Sequence, residues 1–135
     1  MTKIIISLFV AVLILHGIAA LTTYLAVDSG KYLESNYTTA ELQISYGLTI
    51  GLVLTLVQGT ALSVVPLVTY LGTAKYARSN FVQPSKKDWL MRLVKYFFFP
   101  LSVSVLLYLA AIAGADVTHD IAILLSNGKI SSWSF

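Results

Sequence analysis

Cysteine is absent from the 135 residues, which excludes disulfides, thiolate metal sites, iron–sulfur clusters and a cysteine nucleophile. The redox compartment stays open. Charge is scarce as well: Asp, Glu, Lys and Arg make up 11% of the chain, against about 25% in a soluble domain. There is no phosphate-binding glycine loop, dinucleotide fingerprint, HExxH zinc helix, nucleophile elbow or internal repeat. No catalytic residue and no cofactor is expected, and the chain is not expected to be an enzyme by itself.

What it has in excess is hydrocarbon. Hydrophobic residues account for 57%, more than a chain this short can hide from water in one core. Lipid is the expected solvent. The formal net charge is +3, but the cations collect between two apolar runs. They do not line one soluble face, so nucleic acid is not an expected partner.

Uncharged stretches run from Ile4 to Val27, Leu42 to Ala74 and Tyr96 to Ala115. Each reaches the ~20 residues that carry a helix across ~30 Å of hydrocarbon, and lipid requires the helix because it cannot satisfy an open backbone. The first stretch begins like a cleaved leader, with Lys3 and then small residues to Ala20. It continues apolar through Val27, so a retained span is expected. Ser29-Gly30 reads as a helix stop. Thr38 with Glu41, and Ser85 with Asp88 after Pro84, read as capping boxes that start the next two helices. Asn127-Gly128 reads as the last stop.

The expected fold is therefore all-α, a single membrane domain over 1–135 with three long transmembrane helices. Their expected bounds are about 3–27, 39–77 and 86–126 by these marks. The second and third would reach ~60 Å at 1.5 Å per residue. That is about twice the hydrocarbon thickness, more than tilt alone absorbs. Pro66 and Pro100 are expected to kink them, and their ends to project beyond the bilayer.

Lysine and arginine set the expected orientation. The connection between the second and third spans holds Lys75, Arg78, Lys86, Lys87, Arg92 and Lys95, while the first loop and the tail hold one base each, Lys31 and Lys129. This alternates correctly with the N-terminus in the cytoplasm and the C-terminus outside. Tyr70, Tyr76, Trp89 and Tyr96 suit an inner aromatic belt, and Tyr24, Tyr32, Tyr37 and Tyr46 an outer one. The basic run Lys86, Lys87, Trp89, Arg92 and Lys95 is expected at the lipid headgroups.

Within the second span, Gly47, Gly51, Thr55, Gly59 and Ser63 recur every four residues. They form one small-residue face on which another helix can pack closely; whether that helix belongs to this chain is open. His16 and Gln58 fall at similar depth on antiparallel helices, and a hydrogen bond between them would satisfy both. The alternative use of His16 is as a haem ligand, quinone contact or proton relay. A bis-histidine haem is not expected, because the second histidine, His119, lies near the opposite, outer end of the third span. Asp116, His119 and Asp120 share one helical side at offsets zero, three and four. Divalent cations accept such donors, but a solvated or partner-facing patch is the default at a span's end, so no metal is expected. The apolar turn Ile121 to Leu125 beyond them is expected to need a cover. Asn36-Tyr37-Thr38 is a glycosylation sequon for an archaeal or eukaryotic host.

Thr22-Thr23-Tyr24-Leu25, then Gly30 and Glu34-Ser35-Asn36, resembles an uncharacterised family of small prokaryotic multi-span membrane proteins. That family carries Asp-x-x-Thr-Thr late in the first span and Glu-x-Asn-Pro at the start of the second. The likeness covers the first third of the chain, and Ala19 and Tyr37 stand where the family has aspartate and proline. The resemblance implies a prokaryotic plasma-membrane protein and no particular chemistry.

The expected role is a non-catalytic accessory subunit of a larger membrane complex of respiratory, oxygenase or translocation type, with other membrane subunits and lipids as partners. One alternative is a self-associating membrane coat or envelope protein, a homo-oligomer through the small-residue face. Another is a small transporter or redox subunit using His16 and Gln58, or Asp116, His119 and Asp120.

Overall fold

The computed structural model describes residues 1–28 and 37–126, except the side chains of 37–39. Five α-helices make up the described chain: α1 (Thr2–Asp28), α2 (Tyr37–Tyr46), α3 (Leu48–Arg78), α4 (Pro84–Leu93) and α5 (Phe99–Leu125). A π-helical turn, Val94–Phe98, joins α4 to α5 without interruption. Three runs are long and apolar enough to cross a membrane: Thr2–Asp28, Leu48–Arg78 and Pro84–Leu125. They form an all-helical bundle in which α1, α3 and α5 touch one another pairwise.

Large apolar residues cover the outside, among them Ile14, Leu21, Val57, Val65 and Leu107. In water this would be an aggregating surface; it suits hydrocarbon. The interior is narrow. Ile5 and Val12 of α1, Tyr70, Ala74 and Ala77 of α3, Val94 of the π-helical turn and Leu106 of α5 form the main buried cluster. Near the other end, Ala26 and Ile123 form a smaller one. Charge separates along the bundle. Lys3, Lys75, Arg78, Lys86 and Lys87 lie at one end, while Asp28, Asp116 and Asp120 lie at or near the other helix ends.

The second expected helix is two helices. The chain breaks at Gly47, whose φ of 87° and ψ of 163° belong to a region essentially reserved for glycine. The Gly47 amide still donates to the Gln43 carbonyl at 2.9 Å and Gly51 to Gly47 at 2.9 Å, so both flanking helices keep their terminal bonds across the fold. A Cβ at Gly51 would stand 2.7 Å from the Gln43 Cα and nitrogen. The end of α2 thus lies directly on the first turn of α3.

Helix starts differ from the expected caps. Gln83 is the N-cap of α4 and Pro84 opens the helix, because proline has no N–H to lose at that position and its φ is already helical. Ser85 is inside the helix. Thr38 likewise lies within α2, which begins at Tyr37. The helix α3 runs through Pro66. Pro100 falls in the first turn of α5, just after the π-helical turn, where Phe99 donates to the carbonyl of Val94 five residues back. Tyr70 is no belt residue: it is 1% exposed and packs edge-on against Phe99, with ring centroids 5.9 Å apart. The expected stops Ser29-Gly30 and Asn127-Gly128, and the sequon at Asn36, lie outside the described residues.

Candidate functional site

The α1–α5 seam carries the most polar interior group. Helices α1 and α5 run the same way, and Thr23 and Asp120 each lie five residues before the last residue of their helix, Asp28 and Leu125. Asp120 is 2% exposed. Its Oδ2 accepts a hydrogen bond from Thr23 Oγ1 at 2.7 Å and lies 3.0 Å from Thr22 Oγ1. Thr22 Oγ1 is also 3.1 Å from the Ala19 carbonyl oxygen, and it has one proton for the two acceptors, so Thr23 is the firmer donor. Asp120 Oδ1 sits 3.9 Å from His119 Nδ1, an electrostatic contact too long for a hydrogen bond.

Buried carboxylates need such partners, because an unsatisfied one is costly in an apolar medium. Asp116 and His119 are engaged as well. Among the described residues no three His, Asp or Glu side chains gather closely enough to hold a metal ion. Asp116, His119 and Asp120 therefore share a helical side without forming a coordination site. The apolar turn beyond them is partly covered from within: Ile123 is buried against Ala26, while Ile121 and Leu125 stay exposed.

The α1–α3 seam is built differently. His16 Nδ1 lies 2.8 Å from the Val12 carbonyl; a carbonyl only accepts, so Nδ1 carries a proton and donates it there. A Cβ at Gly59 would stand 2.5 Å from His16 Cδ2 and 2.8 Å from Nε2. The imidazole therefore occupies the space that glycine leaves. His16 and Gln58 are at matching depth, yet they do not pair. Gly59 is the residue turned toward the ring, and the next residue on a helix points about 100° away, which leaves Gln58 exposed.

The small-residue stripe divides accordingly. Gly47 is the chain break, Gly51 is the bed for α2, Gly59 faces His16 of α1, and Ser63 is buried. Ser63 donates to the Gly59 carbonyl at 2.8 Å and Thr55 to Gly51 at 3.0 Å, so their hydroxyls are satisfied within α3. The face whose partner the spacing left open meets this chain's own helices at Gly51 and Gly59. Within α2 and α3 two side-chain amides are left over. Gln58 makes no hydrogen bond among the described residues, and the Gln43 amide nitrogen is buried without one.

Between α3 and α5, Ser102 Oγ donates to the Pro66 carbonyl at 3.0 Å, buried. At the basic end an open groove of about 540 Å³ is lined by Thr2, Leu71, Ala74, Lys75, Arg78 and Ser79. Next to it α4 buries no residue, and Lys86, Trp89, Arg92 and Lys95 are exposed, with Lys87 half-buried. Thr22 and Thr23 are the partners of Asp120 that residue-by-residue reading missed. Their signal is positional: hydroxyls and a carboxylate equally far from the ends of two parallel helices. No family model, curated protein or solved structure matches the chain.

Proposed function

We propose that the chain is a non-catalytic structural subunit of a larger membrane protein assembly, joined through the outward side of α3. The observation that carries this reading is the exposed Gln58 amide, ten residues in from Leu48 and twenty from Arg78. Ten residues of helix span about 15 Å, half the hydrocarbon thickness, so the amide cannot reach headgroups from either end. An amide with no partner in hydrocarbon costs about 4–8 kcal/mol relative to water. A neighbouring helix that offers a polar group at that depth removes much of this cost.

The remaining intramembrane polar groups support the same reading, because they tie this chain's own helices together: Thr23 to Asp120 and Ser102 to Pro66. In this reading the N-terminus is cytoplasmic, in a prokaryotic plasma membrane. Lys86, Lys87, Trp89, Arg92 and Lys95 then meet anionic headgroups on that side. Gentle detergent extraction followed by sizing tests the proposal. A particle well above the 14.7 kDa chain, whose size falls on Gln58→Leu substitution, is expected; a monodisperse monomer would overturn it.

A further inference from the structure

We infer that the occupant of the Gln58 side is a second copy of this chain, related by a two-fold axis along the membrane normal. This rests on the assembly reading above and names its partner. The first reason is the chemistry of the amide. It carries two donor hydrogens and one acceptor oxygen, so two such groups placed head to tail satisfy each other with a reciprocal pair of hydrogen bonds. A two-fold axis makes that arrangement automatic, because each copy offers the same patch.

The second reason is depth. All copies insert the same way, so Gln58 of one copy always meets Gln58 of the other at the same level. A foreign helix would have to bring its own polar residue to that level. The surroundings also suit close approach. Leu54, Ala61, Leu62 and Val65, at offsets of minus four, three, four and seven from Gln58, are all exposed. Ala61 is small enough to let two α3 backbones near one another. Among the described residues none is hydrogen-bonded to Gln58, and the His16 ring at that depth is turned to Gly59 instead.

The absence of cysteine gives a direct test. The Ala61→Cys variant is oxidised in native membranes beside an Ile14→Cys control, which places a thiol on the exposed side of α1. The expected result is a species of twice the 14.7 kDa chain mass from Ala61→Cys and little from Ile14→Cys. Adding Gln58→Leu should reduce that species roughly 5- to 30-fold, the equivalent of the 1–2 kcal/mol that one polar contact contributes in membrane helix pairs. Adding Gln58→Asn, which keeps an amide, should largely preserve it.

Equal cross-linking at the two positions, or indifference to Gln58→Leu, would overturn the pairing. Cross-linking of Ala61→Cys solely to a different chain would overturn the second copy as occupant and leave the assembly reading standing. No adduct of any kind, together with a monomer on sizing, would remove both.

Discussion

Helix α1 is held by two neighbours in two different ways. Toward α5 it offers hydroxyls to a buried carboxylate, Thr22 and Thr23 to Asp120. Toward α3 it makes no side-chain hydrogen bond among the described residues; instead the edge of the His16 ring rests in the space above Gly59. The first seam depends on donors and an acceptor meeting at one depth. The second depends on one missing methyl group. Between helices in lipid the hydrophobic effect contributes little, so packing and polar contacts must supply specificity, and this chain uses one on each side.

The packing seam is the easier one to break. Gly59→Leu should lower stability in detergent by about 3 kcal/mol, the upper range for overpacking a tight interior, as read by denaturant titration of helicity. Combining it with His16→Ala should recover a large part of the loss. If the double variant is as weak as Gly59→Leu alone, the ring is not what the glycine accommodates. The clamp should be weaker. Asp120→Ala should cost about 1.5 kcal/mol, near the maximum measured for polar contacts inside membrane proteins, and Asp120→Asn less, because it keeps an acceptor for Thr23.

The two threonines sharpen the clamp further. Thr23→Val should cost about 1 kcal/mol, and Thr22→Val less than about 0.5 kcal/mol, since Thr22 divides its proton between Asp120 and Ala19. Equal losses would mean that both hydroxyls serve the carboxylate alike. The smallest effect belongs to the third seam. Ser102→Ala should cost about 0.5 kcal/mol, because Tyr70 packed on Phe99 keeps α3 against α5 after the Pro66 contact is gone.

Hydropathy made the three long helices legible, and counting residues along antiparallel helices brought His16 to the depth of Gln58. The error was rotational. A soluble helix announces its inner side by an apolar stripe, whereas α1 and α3 are apolar all round, so hydropathy does not phase them. On α3 the small-residue stripe, which holds Gly59, does. One residue of rotation separates the expected His16–Gln58 pair from the observed His16–Gly59 contact. Gly47 was read as a packing residue by its spacing, although it follows a polar decade, Tyr37–Tyr46, and precedes a long apolar run, the setting of a glycine that ends a helix. On α5 the spacing put Asp116, His119 and Asp120 on one side. It could not say that the partner of Asp120 would be a pair of threonines about a hundred positions earlier, since that depends on how α1 lies along α5.

The wide turn ahead of Pro100 alters the bookkeeping of the longest run. Residues 84–125 contain one residue more than uniform α-helical turns would hold between the same two ends, and Val94–Phe98 absorbs the surplus. Leu90 and Met91 upstream and Leu106 downstream can then both face the core. Were the same residues wound uniformly, everything before the turn would be out of phase with α5 by about 100°, carrying Leu90 and Met91 off the core. Between Pro84 and Leu125, this stretch is the place where the chain can lose a residue and keep both halves aligned.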